Sequence, residues 1–162
     1  MNPCLDLRVQ SEIRQWTCIE RWVHPFAVTL TLKQSRQLDG VSSTYLTPEL
    51  ASRNVRHFLN LLNKQLYGSA AQRSNKRIRS LAVAEGTATK RLHYHLMLDC
   101  PQISHIEHFS SMVAAAWAKT DWGYPQIEVR SCDKGWLKYI TKFRDKPDFA
   151  SAFDWELCHN PN

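Results

Sequence analysis

An α+β domain, one antiparallel sheet packed against helices, is what this sequence predicts, and three observations carry it. Apolar residues recur in the order strand, helix, strand, strand, helix, strand, helix. The two middle strands are joined by a connection short enough to be a hairpin. A chain of 162 residues, 43% hydrophobic, is the length of one domain with one core.

The elements follow in chain order. Residues 1–23 carry apolar groups at mixed spacing and read as an N-terminal extension or helix, with no chemistry placed there. His24 to Leu32 is rich in β-branched residues with a partial period of two, a buried strand. Lys33 to Thr47 is polar and holds Asp39-Gly40, so it reads as a loop. Thr47-Pro48-Glu49 then opens a helix, with Thr at the N-cap, Pro at the first helical position and an acid in the first turn. Ala51, Val55, Phe58, Leu59, Leu62 and Leu66 give that helix one apolar face, and Gly68 stops it. Ser69 to Lys76 is a loop. Ile78 to Glu85 and Leu92 to Leu98 are the hairpin strands, turning between Thr87 and Lys90. A second core helix spans His105 to Thr120, a fourth strand Tyr124 to Arg130, and a third helix Lys134 to Lys146, ended by Pro147. Two β-α-β units joined in this way predict a ferredoxin-like or RRM-like sheet with helices mainly on one face. The domain is expected over residues 24–146 and a tail over residues 147–162.

Composition removes several function classes. Five Gly and seven Pro exclude collagen-like and low-complexity chains, and no apolar run nears the ~20 residues that span a bilayer. A soluble, cytoplasmic protein is expected. Five cysteines, widely spaced and without a Cys-x-x-Cys pair, argue against a disulfide framework or structural zinc. No phosphate-loop motif is present, which removes an ATPase module. The formal charge of +6 comes from 21 Lys+Arg against 15 Asp+Glu, and the basic residues gather in the second half of the chain.

His93 and His95 carry the chemistry. Side chains alternate along a strand, so both imidazoles face one side of the sheet and can reach one divalent ion. The hairpin places Glu85 near the cross-strand position of His93, giving a three-ligand site with open positions. On the third helix Trp136, Leu137, Ile140 and Phe143 form the apolar stripe, with Tyr139 and Lys142 together at its border. A tyrosine hydroxyl with an ordinary pKa near ~10 needs a nearby cation, base or metal to attack at neutral pH.

His93-Tyr94-His95 on a strand, followed by Tyr139-Ile140-Thr141-Lys142 on a helix, resembles the single-tyrosine HUH endonucleases, the Rep initiators of rolling-circle replication. Phe26-Ala27-Val28-Thr29-Leu30-Thr31 is similar to that family's first motif, aligned with either Phe26 or Val28 leading; the roles of Thr29 and Thr31 stay open. The three motifs span about residues 24 to 146. The resemblance implies a divalent ion, Mg or Mn, held by His93, His95 and Glu85 on the scissile phosphate of single-stranded DNA. It implies attack by Tyr139 to form a 5′-phosphotyrosine link and free a 3′-hydroxyl, with Lys142 positioning the tyrosine or stabilising phosphate charge. It also implies an origin hairpin as substrate and a host helicase and polymerase as partners, since the helicase domain of many viral members is missing here. Arg77, Arg79, Lys90, Arg91 and Lys138 are the residues expected to neutralise phosphates.

Two other readings stand beside this one. A non-catalytic single-stranded nucleic-acid binding module would use exposed aromatics on the sheet, Tyr94 among them. A transposase or relaxase of the same superfamily would share the chemistry. A zinc protein built on Cys100, His105 and His108 lacks a recognised ligand spacing. Oligomeric state is not legible from the sequence.

Overall fold

A computed structural model describes residues 3–38, 40, 42–86, 91–142 and 152–161. Its elements are α1 (Pro3–Thr17), β1 (Pro25–Leu32), β2 (Ser35–Leu38), β3 (Ser42–Tyr45), α2 (Pro48–Tyr67), α3 (Ala70–Arg73), β4 (Ser80–Glu85), β5 (His93–Asp99), α4 (Phe109–Trp117), β6 (Gly123–Ser131) and α5 (Lys134–Ile140). Four strands form one antiparallel sheet in the order β4-β5-β1-β6. The fold is therefore α+β with the strand order of a ferredoxin-like domain.

Alternation of side chains gives the sheet two different faces. Phe26, Val28, Leu30, Tyr94, Leu96 and Leu98 point to the first, where they pack against the apolar stripes of α2 and α4. The predicted start and stop of α2 are both present: Thr47 accepts from the Leu50 amide, and Gly68 takes the positive φ of 56°. Two asparagines on the buried side of α2 make bonds that the apolar pattern did not show. Asn54 bonds both Thr120 and the Trp122 amide, and Asn63 accepts from the Ile78 amide at 2.9 Å. They satisfy buried loop amides where apolar residues would leave them unpaired.

The second face carries Ala27, Leu81, Val83 and Met97, covered by Ile13 of α1, by Trp136, Leu137 and Ile140 of α5, and by Phe153. Helices thus lie on both faces, the larger pair on the first. Within this second layer the Gln10 amide of α1 donates to the Thr141 carbonyl, 2.6 Å away, tying the N-terminal helix to the end of α5.

Several expected boundaries change. The loop over 33–47 contains the β2-β3 hairpin, a separate two-stranded ribbon turning at Gly40, whose φ is +73°. Its strands are too polar to show an apolar alternation. The expected loop over 69–76 contains the single turn α3. The second core helix begins at Phe109, because residues up to Phe109 bond to carbonyls three residues back, as in a 3-10 helix. The third helix ends at Ile140, so Lys142 lies just beyond it; Phe143 and Lys146, expected on the same helix, fall outside the described residues.

Among the described residues no helix is long and apolar enough to cross a membrane.

Candidate metal centre and its tyrosine

Register builds this site. In the β4-β5 pair Glu85 lies opposite His93, and in the β5-β1 pair His95 lies opposite Thr29. All four side chains rise on the second face, beside α5. The imidazole Nε2 atoms of His93 and His95 are 3.2 Å apart, and the Glu85 carboxylate is 3.3 Å from Nε2 of His95. Among the described residues, Glu85, His93 and His95 form the group of potential ligands that could hold a metal ion, with all their donor atoms within 4.8 Å of one another.

The hydrogen bonds behind the rings fix which nitrogen faces the group. Nδ1 of His93 is 2.9 Å from the Arg91 carbonyl, which can only accept, so the proton sits on Nδ1 and Nε2 presents a lone pair. Nδ1 of His95 is 3.1 Å from the Thr29 hydroxyl, which can accept in the same sense. Two lone pairs and a carboxylate then converge on one point. They repel one another unless a proton or cation joins them. Two donors bound side by side at ~2.1 Å to one ion lie ~3 Å apart, close to the separations seen here. Donor chemistry and spacing both fit a divalent ion, and imidazole with carboxylate suits Mn at least as well as Mg.

Tyr139 comes to this group from α5. The Asp133 side chain caps that helix at the Trp136 amide, 2.9 Å away, and the buried Trp136, Leu137 and Ile140 seat it on the sheet. The indole of Trp136 is anchored by a bond from Nε1 to the Leu96 carbonyl, 3.2 Å. Tyr139 stacks on that indole at a centroid distance of 5.4 Å and meets the His95 ring edge-on at 5.5 Å. It stays 43% exposed, so its hydroxyl is open to a ligand. The Lys142 ammonium stands over the Tyr139 ring at 4.9 Å.

The expected phosphate-binding residues divide into two groups. Arg91 leads into β5 and covers the ring of Tyr124 at 4.6 Å, while Lys138 is exposed next to Tyr139. Arg77 and Arg79 lie before β4, at the end of that strand away from Glu85. Lys90 lies outside the described residues.

Three further residues touch the site without having been assigned to it from sequence: Thr29 behind His95, Trp136 under Tyr139, and Gln10 at the end of α5. A cross-strand reading of the first strand against the third would have found Thr29. The other two depend on packing alone. Tyr94, offered as a sheet-surface aromatic, is instead buried, and its hydroxyl donates to Asp154 at 3.0 Å. Burial, with the Asp154 carboxylate beside it, holds that phenol well above its ordinary range. The Trp117 indole is core, as its helix position implied; Trp122 is buried beneath the Arg36 guanidinium.

A family model described as a replication-associated protein of the ORF2 kind matches residues 25–148. That range runs from the first residue of β1 past the tyrosine helix and so contains every residue of the site except Gln10. No curated protein and no solved structure matches the chain.

Proposed function

The chain belongs to the ORF2 family of replication-associated proteins, and on that premise we propose that it nicks and rejoins single-stranded DNA through Tyr139, initiating rolling-circle replication of a plasmid, phage or related element. The observation that carries this reading is the contact of Tyr139 with His95, whose other neighbours are His93 and Glu85. A nucleophile beside a group able to hold a cation is what phosphoryl transfer requires.

Glu85, His93 and His95 would hold the ion, and a bound divalent ion would supply Lewis-acid polarisation of the scissile phosphate. The remaining work falls to side chains of this chain. Trp136 and His95 hold the phenol ring on two sides. The Tyr139 oxygen attacks phosphorus, one P–O bond forms, and the bond to the 3′ oxygen breaks. The phenol loses a proton and the departing 3′ oxygen gains one, so no water is consumed. Lys142, and Lys138 on the exposed side, would offset charge on the phosphate. One phosphoester replaces another, so the exchange is close to balanced and a later 3′-hydroxyl can reverse it to rejoin the strand. The freed 3′-hydroxyl would serve a host polymerase, with a host helicase opening the template.

The test is incubation of the purified protein with labelled single-stranded DNA containing origin-like hairpins, in the presence of Mn. A covalent protein–DNA adduct is expected, lost in Tyr139→Phe and on chelation. An adduct that survives Tyr139→Phe moves the nucleophile elsewhere. Absence of adduct with every origin-like DNA would favour a binding module without catalysis.

A further inference from the structure

At the far end of the molecule from the tyrosine lies a groove between the second half of α2 and the segment from α3 to Arg77, with a volume of about 490 Å³. Its walls carry His57, Lys64, Lys76 and Arg77 with the amides of Asn60 and Asn75, and no carboxylate is among the lining residues. The walls are held by the fold. Asn63 fixes the Ile78 amide, the Lys76 amide donates to the Ala70 carbonyl at 3.3 Å, and Arg77 Nε bonds the Asn75 side chain at 2.9 Å. The Lys76 ammonium covers the ring of Tyr67 at 4.8 Å. A neighbouring group registers the positive field: partial burial, and then Arg77 and Arg79, hold the His159 imidazole below its ordinary range.

We propose that this groove is a second DNA-contact site, which takes the phosphate backbone of double-stranded DNA flanking the strand held at Tyr139. The inference rests on the nicking function proposed above and adds to it the form of the substrate. Cations without acids select a polyanion. The choice of duplex over single strand follows from what the groove lacks. Single strands are gripped by stacking their bases on aromatic rings, and Tyr67, the aromatic ring beside these walls, is capped by Lys76. A site that offers only charge and amides reads phosphates, and a duplex turns only its phosphates outward. Spacing agrees. Arg79 precedes Glu85 by six residues along an extended chain, about 20 Å at ~3.3 Å per residue. At ~3.4 Å per base pair, that is the length of about six base pairs.

The test uses a labelled hairpin with a single-stranded tail and, separately, the tail alone. The variant Lys64→Glu/Lys76→Glu is expected to weaken hairpin binding on the order of tenfold or more and to lower the slope of log affinity against log salt by roughly two. Its affinity for the tail should stay within about twofold. The milder pair Lys64→Gln/Lys76→Gln, checked for an unchanged thermal midpoint, should shift hairpin binding in the same direction. Equal losses on both ligands, or none on the hairpin, overturn the proposal. Tyr139→Phe should leave hairpin affinity intact, so failure of the adduct assay and failure of the groove are read separately.

Discussion

The hydroxyl of Thr29 stands 3.1 Å from Nδ1 of His95, across the β1-β5 pair that sets the two residues opposite each other. It holds the imidazole with Nε2 turned toward His93 and Glu85. A hydrogen bond behind a ligand typically changes metal affinity by about 10–100-fold. Thr29→Val keeps the shape of the side chain and removes that bond. Titration calorimetry with Mn should show affinity reduced by at least about tenfold, with Thr29→Ser close to the parent. Parent-like affinity in Thr29→Val would leave the hydroxyl without a role at the ligand.

Trp136 is both core and platform. It is buried, bonded to the Leu96 carbonyl and stacked under Tyr139. Trp136→Ala should cost about 3–5 kcal/mol by leaving a cavity, which would obscure any effect on chemistry. Trp136→Phe is the informative change, since it retains a ring but loses the anchoring N–H. Single-turnover adduct formation should slow by about tenfold, roughly 1.4 kcal/mol of barrier, while affinity for Mn stays at the parent value. Equal loss of both would mean that the sheet itself has shifted.

Much of this was legible in the sequence because it depends on period and register. Alternation placed His93 and His95 on one face, and the length of the hairpin connection placed Glu85 opposite His93, as the pairing shows. The capping residues of α2 announced both its ends. What depends on packing between distant segments was hidden. Residues 1–23 showed no clear stripe because α1 buries little of itself, yet Ile13 seals the second face and Gln10 reaches Thr141. The β2-β3 ribbon was read as loop because its polar strands border solvent. Tyr94 was assigned to a surface because nothing local revealed Asp154, 60 residues away in the chain, as its partner.

His159 gives a pH dependence whose sign can be worked out. Its pKa in the folded protein is lowered by partial burial and by Arg77 and Arg79. Below the ordinary histidine value of ~6.5 the unfolded chain takes a proton that the folded protein resists, so the contribution of this group to stability is complete above that value and is lost as pH falls. Urea midpoints compared at about pH 7 and about pH 5 should fall more in the parent than in His159→Gln. An equal fall would assign the acid sensitivity to other groups.

The free side of β4 is closed by the C-terminal segment. Ser80 and His159 exchange backbone bonds of 2.8 Å in each direction, Val83 bridges Phe153, and the Asp154 amide donates to the Ala82 carbonyl. The opposite edge, β6, is protected differently, by Pro125, Glu128 and Arg130, residues that discourage another strand from pairing. β4 has no such residues in its middle, where Leu81, Ala82 and Val83 are all buried. Ending the chain before Ala152 should expose that edge and remove Phe153 and Leu157 from the core, a loss of about 3–6 kcal/mol at ~1.5–3 kcal/mol for each fully buried side chain. The truncated protein should melt at lower temperature and form higher-order species on size exclusion. A monomer with an unchanged midpoint would show that the sheet closes without its tail.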